Sequence, residues 1–158
     1  MPDENLEKLS KETYLKMIKN SIGSKIFNSL FVKNKTTGKI SDVLEDGMYS
    51  CAFFVSGILT IFGLIDRPHA MVDTTVKKLK EKSYQEVNKN YQPGDILVWE
   101  EITFEDGSTN EHLGFYLDEN TAVSTSYKEK KVVSHHPTFG LDDHKNPIRK
   151  IKMTFRVF

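Results

Sequence analysis

The chain has 158 residues, and 22 lysines and arginines balance 22 aspartates and glutamates, so the formal net charge is zero. This length predicts one domain, residues 1–158, with room for a sizeable hydrophobic core. The balanced charge gives no overall basic field, so we predict no nucleic-acid partner. The single cysteine excludes an internal disulfide and therefore gives no sign of an oxidising compartment.

The N-terminus lacks the basic start and apolar core that are typical of a signal peptide. The longest apolar run, residues 52–65, is interrupted by polar residues and glycine and is too short to span a bilayer. We therefore expect no membrane span, and a protein that is cytoplasmic or exported without a leader. The sequence makes no prediction about the oligomeric state.

Helical signals dominate the first half of the chain. Asp3 is expected to cap a first helix that ends near Asn20. Residues 26–32 are apolar but too few for periodicity to separate helix from strand. A later helix is expected over 72–82. The apolar side chains of the first helix are expected to share one side: Leu6, Leu9, Tyr14, Met17 and Ile18.

Between these helices lies an apolar segment that contains the only cysteine. Ser50 is a favourable N-cap and Gly63 a favourable C-terminal stop, which predicts a buried helix that begins at Cys51. A thiolate is favoured at the first position of a helix because of the helix dipole. Cys51 is therefore either a catalytic nucleophile or a small buried side chain. Its helix carries apolar residues at helical spacing: Phe54, Val55, Ile58, Leu59 and Phe62.

The second half of the chain changes to a period of two, which is typical of strands. A Pro93-Gly94-Asp95 turn precedes an apolar strand at 96–99, and Asp106-Gly107 is a hairpin signal. Helices followed by antiparallel strands indicate an α+β fold, with N-terminal helices packed on a C-terminal antiparallel sheet of about five to six strands. The other predicted strands cover 101–104, 111–117, 121–126, 131–135 and 149–158.

A cysteine nucleophile requires an imidazole base and a third polar group that orients the base. His112 begins a strand, and Gly114 is expected to leave open space beside its ring. If residues 118–120 form a tight turn, position 117 opposes 121 and 112 opposes 126, or a slip places 112 opposite 124. In either register Ser124 and Ser126 share the face of His112. An ordinary strand-end histidine remains the alternative.

Other histidines offer weaker hypotheses. His135-His136 and Asp142-Asp143-His144 contain enough nitrogen and carboxylate for a metal. However, adjacent histidines on a strand point to opposite sides, and the intervening segment has a loop composition. We therefore predict no metal site and no cofactor. His69 follows a proline in a loop, where a histidine without a role is the simpler interpretation.

Four segments, in order, resemble the NlpC-type cysteine peptidases, the cell-wall endopeptidase branch of the papain-like superfamily. They span roughly residues 13 to 136. The similar segments are the opening helix end Lys19-Asn20-Ser21-Ile22-Gly23, the nucleophile helix Ser50-Cys51-Ala52-Phe53-Phe54-Val55, the turn Gln92-Pro93-Gly94-Asp95-Ile96-Leu97 and the strand His112-Leu113-Gly114-Phe115-Tyr116-Leu117.

The resemblance implies a papain-like fold, a thiol hydrolase of peptide or amide substrates such as cell-wall peptide, and an acyl-enzyme mechanism. It implies Cys51 as nucleophile, His112 as base and Ser124 as the third catalytic residue, with Ser126, His135 and His136 as alternatives. Ser50 replaces the family's aspartate, and Lys25-Ile26 replaces its Pro-Tyr pair. Two alternatives are therefore an inactive binding module, and an amidase or acyltransferase that acts on a substrate other than peptidoglycan.

Overall fold

The sheet and the helices that cover it follow the predicted order of helices first and strands later. The computed structural model describes residues 6–104 and 107–158, which form an α+β fold with three helices, a six-stranded antiparallel sheet and a two-stranded sheet. The helices are α1 (Ser10–Asn20), α2 (Cys51–Ile61) and α3 (Val72–Glu81). The strands are β1 (Phe31–Lys33), β2 (Ile40–Asp42), β3 (Gln85–Glu86), β4 (Ile96–Thr103), β5 (Thr109–Asp118), β6 (Thr121–Ser126), β7 (Lys131–His135) and β8 (Ile151–Arg156).

The large sheet has the order β3-β8-β4-β5-β6-β7, and helix α2 packs against its centre. Alternate strand residues reach opposite faces, so the sheet takes part in two apolar clusters. The main core lies between the sheet and the helices and includes Leu113 and Phe115 of β5. A smaller cluster on the other face consists of Leu97, Trp99 and Ala122. Both faces of the first half of β4, residues 96–99, are therefore buried.

Helix α2 has the predicted bounds. It ends in a Schellman arrangement, because the N–H of Leu64 donates to the Leu59 carbonyl at 3.0 Å and Gly63 adopts a φ of +67°. Ser50 occupies the N-cap position but does not cap the helix with its side chain, since its hydroxyl donates to the Gly47 carbonyl at 3.2 Å. None of the helices in the described part of the chain is long and apolar enough to cross a membrane.

Helix α1 is shorter than predicted. It begins at Ser10, and the expected cap Asp3 lies outside the described residues. Leu6 and Leu9 precede the helix and are 71% and 54% exposed, so the prediction that they share one side of it with Tyr14 and Ile18 is wrong. Apolar spacing extended the predicted helix beyond the point at which its side chains still meet the core. Tyr14 and Ile18 lie within the helix and are fully buried.

Several strands differ from the expected pattern. Residues 26–32 are mostly irregular, and their end joins a short hairpin of β1 and β2 that the sequence did not predict. Strand β4 runs on through Thr103 with a register shift between Trp99 and Ile102, so 101–104 is not a separate strand. The two-residue strand β3 was also missed, because so short a segment carries no periodicity. Asp106 of the predicted hairpin turn lies outside the described residues.

The Pro93-Gly94-Asp95 turn ties α1 and β8 to the start of β4. Gly94 has a φ of +92°, and a Cβ there would lie 2.7 Å from the Tyr14 ring. The Tyr14 hydroxyl donates to the Gly94 carbonyl at 2.9 Å. Asp95 is 2% exposed and accepts two hydrogen bonds from the guanidinium of Arg156, at 2.9 and 2.7 Å. The motif therefore has a structural role in this fold.

Candidate active site

A cavity of about 1150 Å³ lies where the start of α2 meets strands β5, β6 and β7. It brings together the three residues predicted to be catalytic, Cys51, His112 and Ser124. His135 and Arg149 line the same cavity, which lies beside β5 at its N-terminal half. Hydrogen bonds to the His112 ring therefore decide which candidate is placed to orient it.

Three side chains and one carbonyl form a continuous hydrogen-bonded line. His112 Nε2 lies 2.9 Å from Ser124 Oγ, and Ser124 Oγ lies 2.8 Å from His135 Nε2. The line ends at the backbone carbonyl of His136, which lies 2.7 Å from His135 Nδ1. We call this set the histidine–serine line. Of the candidates for the third catalytic residue, Ser124 therefore contacts the His112 ring directly, and His135 contacts it through Ser124.

The direction of each bond follows from the carbonyl at the end of the line. A carbonyl can only accept, so His135 Nδ1 donates, and the Nε2 of a neutral His135 must accept from the Ser124 hydroxyl. The Ser124 oxygen then accepts from His112, which carries its proton on Nε2. This assignment leaves the Nδ1 lone pair of a neutral His112 free to act as a base.

The strand register explains why these side chains meet. Gly114 pairs with Ser124, which corresponds to the predicted register in which 112 opposes 126. Strand β6 pairs with β7 so that Ala122 opposes His135, which places His135 diagonal to Ser124. Because side chains alternate, these residues project from the same face of the sheet.

The side chains of the remaining alternatives, Ser126 and His136, lie outside the line. The Ser126 oxygen accepts the Glu129 N–H at 3.1 Å, in the turn between β6 and β7. His136 Nδ1 lies 2.9 Å from the Thr138 hydroxyl and not near Ser124.

The expectation of open space beside His112 is wrong. A Cβ on Gly114 would lie 2.5 Å from the Val123 carbonyl oxygen and 2.8 Å from the Trp99 ring. The ring of Trp99 occupies that space, with its centroid 5.4 Å from that of His112 and 5.5 Å from that of His135. The glycine is needed for close packing of this indole and is not a place for substrate.

Aromatic side chains pack around the histidine–serine line. Trp99 is fully buried and donates its indole N–H to the Pro137 carbonyl at 2.6 Å. Phe139 stacks on His135 with a centroid separation of 4.0 Å and an interplanar angle of 17°. Phe139 has a φ of +60°, a conformation that non-glycine residues rarely adopt.

Cys51 and His112 reach the cavity from opposite faces of β5. The helix of Cys51 packs on the face of Leu113, whereas the His112 ring projects to the face of Trp99. Within the described residues, no hydrogen bond joins the Cys51 thiol to the His112 ring. The two side chains instead converge because both line the same cavity.

Burial raises the pKa of the Cys51 thiol above its ordinary value. The backbone N–H groups of Leu113 and Ala52 and the charge of Arg149 oppose this effect without overcoming it. The expectation that the helix dipole favours the thiolate is therefore wrong for the free protein. Desolvation of the charged form outweighs the stabilisation that the N–H groups at the start of α2 give to it.

The imidazoles are also held in their neutral forms. Burial, with smaller contributions from Arg149 and His135, lowers the pKa of His112 to about 3. Burial is also the main cause that lowers the pKa of His135. Near neutral pH the site therefore contains a thiol and a neutral imidazole rather than a thiolate–imidazolium pair.

Arg149 is the residue of the site that the sequence did not reveal. It is 8% exposed, and its guanidinium donates to the carbonyls of Glu100 and Asn110, both at 2.9 Å. In the sequence it begins the predicted strand 149–158, which also contains Lys150, Lys152 and Arg156, and nothing in that pattern separates a buried cation from exposed ones. Arg149 is recognised as part of the site only from the folded structure, in which the loop before β8 places it in the cavity.

Comparison of the chain with known proteins does not assign it to a family. A scan against protein-family models finds no match to this chain, and no curated protein matches it. The resemblance to NlpC-type peptidases therefore stays a prediction based on the four quoted segments. Among the residues that the structure describes, no group of three or more histidines, cysteines, aspartates and glutamates is close enough to hold a metal ion.

Proposed function

We propose that the protein is a thiol hydrolase that cleaves a peptide or amide through an acyl-enzyme on Cys51. The observation that carries the proposal is the histidine–serine line, which fixes the tautomer of His112 in the same cavity as the only cysteine of the chain. A nucleophile, a base and groups that orient the base are the parts that such chemistry requires.

In this mechanism the thiol sulfur attacks the substrate carbonyl while its proton passes to His112 Nδ1. The S–C bond forms, and the C–N bond breaks as His112 returns the proton to the leaving amine. Water then adds to the acyl group, His112 takes a proton from that water, and the sulfur departs and is reprotonated. Because the free thiol and imidazole are both neutral, proton transfer accompanies attack rather than preceding it.

The start of α2 provides the groups for the developing oxyanion. The first hydrogen bond of the helix runs from the Phe54 N–H to the Ser50 carbonyl at 2.9 Å. The N–H groups of Cys51 and Ala52 precede it and are without an intrahelical acceptor. Such donors stabilise an oxyanion more strongly than a neutral carbonyl, so they lower the barrier.

The distance between thiol and base is tested directly with 1,3-dibromoacetone, which joins a thiol to a nearby imidazole with loss of two bromides. We expect one cross-linked peptide pair, Cys51 with His112, identified by mass spectrometry. A Cys51→Ser variant is the control for alkylation elsewhere. Alkylation of Cys51 without the histidine cross-link would contradict the proposed base.

Turnover is tested on a panel that contains peptidoglycan fragments, simple peptides and aryl amides. We expect hydrolysis of at least one member and a covalent acyl adduct on Cys51, both absent from Cys51→Ala. If no member of the panel is cleaved and no adduct forms, the thiol hydrolase is refuted.

A second candidate is a binding module of the same shape without catalysis. The raised pKa of the thiol and the missing thiol–imidazole hydrogen bond favour it. It predicts that Cys51→Ala binds cell-wall fragments as tightly as the wild type does, with no product formed. Calorimetric titration of both proteins with purified fragments separates the two functions.

A further inference from the structure

Arg149 carries a buried positive charge that has no salt-bridge partner among the described residues, although the carboxylates of Glu100 and Glu111 act on it from a longer distance. Among residues 6–104 and 107–158, no carboxylate lies within salt-bridge distance of its guanidinium. Other cations do have such a carboxylate: Arg156 pairs with Asp95, and Lys78 pairs with Glu81. The two hydrogen bonds of Arg149 go to neutral carbonyls through Nε and Nη2, and its Nη1 donates to none of the described residues. A buried charge without an ion-pair partner is costly, and a bound anion would offset that cost.

The guanidinium is held in place and faces the site. Two strands bind it, through the carbonyl of Glu100 in β4 and that of Asn110 in β5. Its own backbone N–H donates to the Thr138 carbonyl at 3.0 Å, and its Cζ lies 5.8 Å from the centre of the Phe139 ring. A planar guanidinium in a fixed position with free donors recognises carboxylates in a two-pronged geometry.

The carboxylates of the cavity leave this position available. Asp73, Glu101 and Glu129 line the cavity but are exposed, so solvent screens them. Glu111 is the most buried of the carboxylates there and pairs with Lys152. The inner part of the cavity therefore combines a neutral thiol, neutral imidazoles and one buried cation.

We propose that Arg149 binds a carboxylate of the substrate and makes the site specific for an anionic acyl group next to the bond that is cleaved. The inference rests on the proposed function for the nature of the bond, but the anion site can be tested without turnover. Arg149 would then determine specificity, while Cys51 and His112 carry out the chemistry.

Two alkylating reagents of nearly equal size separate this role from simple activation of the thiol. Iodoacetate and iodoacetamide both alkylate the sulfur with loss of iodide, but only iodoacetate carries a carboxylate. We expect the ratio of their rates at Cys51 to exceed the ratio for free cysteine by roughly tenfold, since hydrogen bonds between charged groups are worth about one factor of ten or more. Arg149→Gln should bring the ratio to that of free cysteine.

The control is Lys128→Gln, which removes an exposed positive charge from the rim of the same cavity. It should leave the ratio unchanged, which excludes a general effect of net charge. If Arg149→Gln slows both reagents equally, Arg149 acts on the thiolate alone and the proposal is overturned. An unchanged ratio in Arg149→Gln overturns it as well.

A second measurement applies if Cys51 reacts with neither reagent or if Arg149→Gln does not fold. The Arg149 Nε–H resonance of the wild-type protein is followed by NMR during titration with acetate, with chloride at equal ionic strength as the control. We expect a saturable shift with acetate only. No saturable shift, or equal shifts with both anions, refutes the carboxylate site whether or not the protein is a hydrolase.

Discussion

Ser124 lies at the centre of the site because its single oxygen contacts both His112 and His135. It is fully buried, at 0% exposure. Its position on the face of His112 could be predicted from period-two alternation alone. The link onward to His135 could not, since it depends on the register of β7 against β6.

The tautomers of the line are a first prediction. His112 should carry its proton on Nε2 and His135 on Nδ1, because the His136 carbonyl can only accept. Long-range proton–nitrogen NMR of the histidine rings distinguishes the two forms near neutral pH. The exposed His144 provides a reference without a fixed tautomer. Protonation of His112 on Nδ1 would remove the base from the mechanism.

Substitution of Ser124 by alanine tests the line as a unit. The variant leaves the Nε2–H of His112 without its acceptor in a buried site, which should cost about 1–3 kcal/mol of unfolding free energy. Any turnover should fall because the ring loses its orientation, with kcat affected more than KM. Ser126→Ala is the matched control and should change turnover little, since Ser126 lies outside the line.

At the scale of elements, apolar spacing predicted α2 and α3 to within one residue, because α3 buries one side and α2 is buried over most of its surface. The same spacing failed at the start of α1, where Leu6 and Leu9 meet solvent. Periodicity reports an apolar side, but not whether a partner covers it. Short pieces such as β3 cannot be found in this way, since their pairing with β8 is entirely non-local.

The Pro93-Gly94-Asp95 turn yields a prediction at this scale. Asp95→Ala leaves the guanidinium of Arg156 without its partner and removes the acceptor of the Gln92 N–H. Removing one member of a buried ion pair costs about 3–5 kcal/mol, and the partial exposure of Arg156 places the expected loss near the lower end. Urea unfolding measures it.

The control for this prediction is Asp118→Ala in the exposed turn between β5 and β6, where the lost hydrogen bond joins neighbours in the same turn. It should lose at most about 1 kcal/mol. Equal losses for both variants would show that the Asp95–Arg156 pair does not hold the turn to β8.

For the whole molecule, the site is a consequence of a sheet that is covered on both faces. The helix that carries Cys51 packs on one face, and the aromatic cluster around His112 lies on the other. The sequence could predict the α+β order and the single cysteine helix. It could not predict that a loop before β8 would bring Arg149 into the cavity, because that contact joins residues distant in the chain.

Burial of imidazoles on both faces makes the fold sensitive to acid. Burial is the main cause that lowers the pKa values of His69, His112 and His135. The unfolded chain therefore binds more protons than the folded one below about pH 6.5, the ordinary histidine pKa. Stability should be full above that pH and decrease as the pH falls, by up to about 1.4 kcal/mol per pH unit for each proton.

The pH range separates these histidines from the carboxylates. Backbone hydrogen bonds are the main cause that lowers the pKa of Asp42 to about 2, and they also lower that of Asp142. Such groups stabilise the fold above their unfolded pKa, so their contribution is lost only below about pH 4. Urea unfolding between pH 7.5 and 5 should therefore report the histidines, with a shallower slope in His69→Asn. A wild-type free energy of unfolding that does not change over this range would contradict the buried neutral imidazoles on which the mechanism depends.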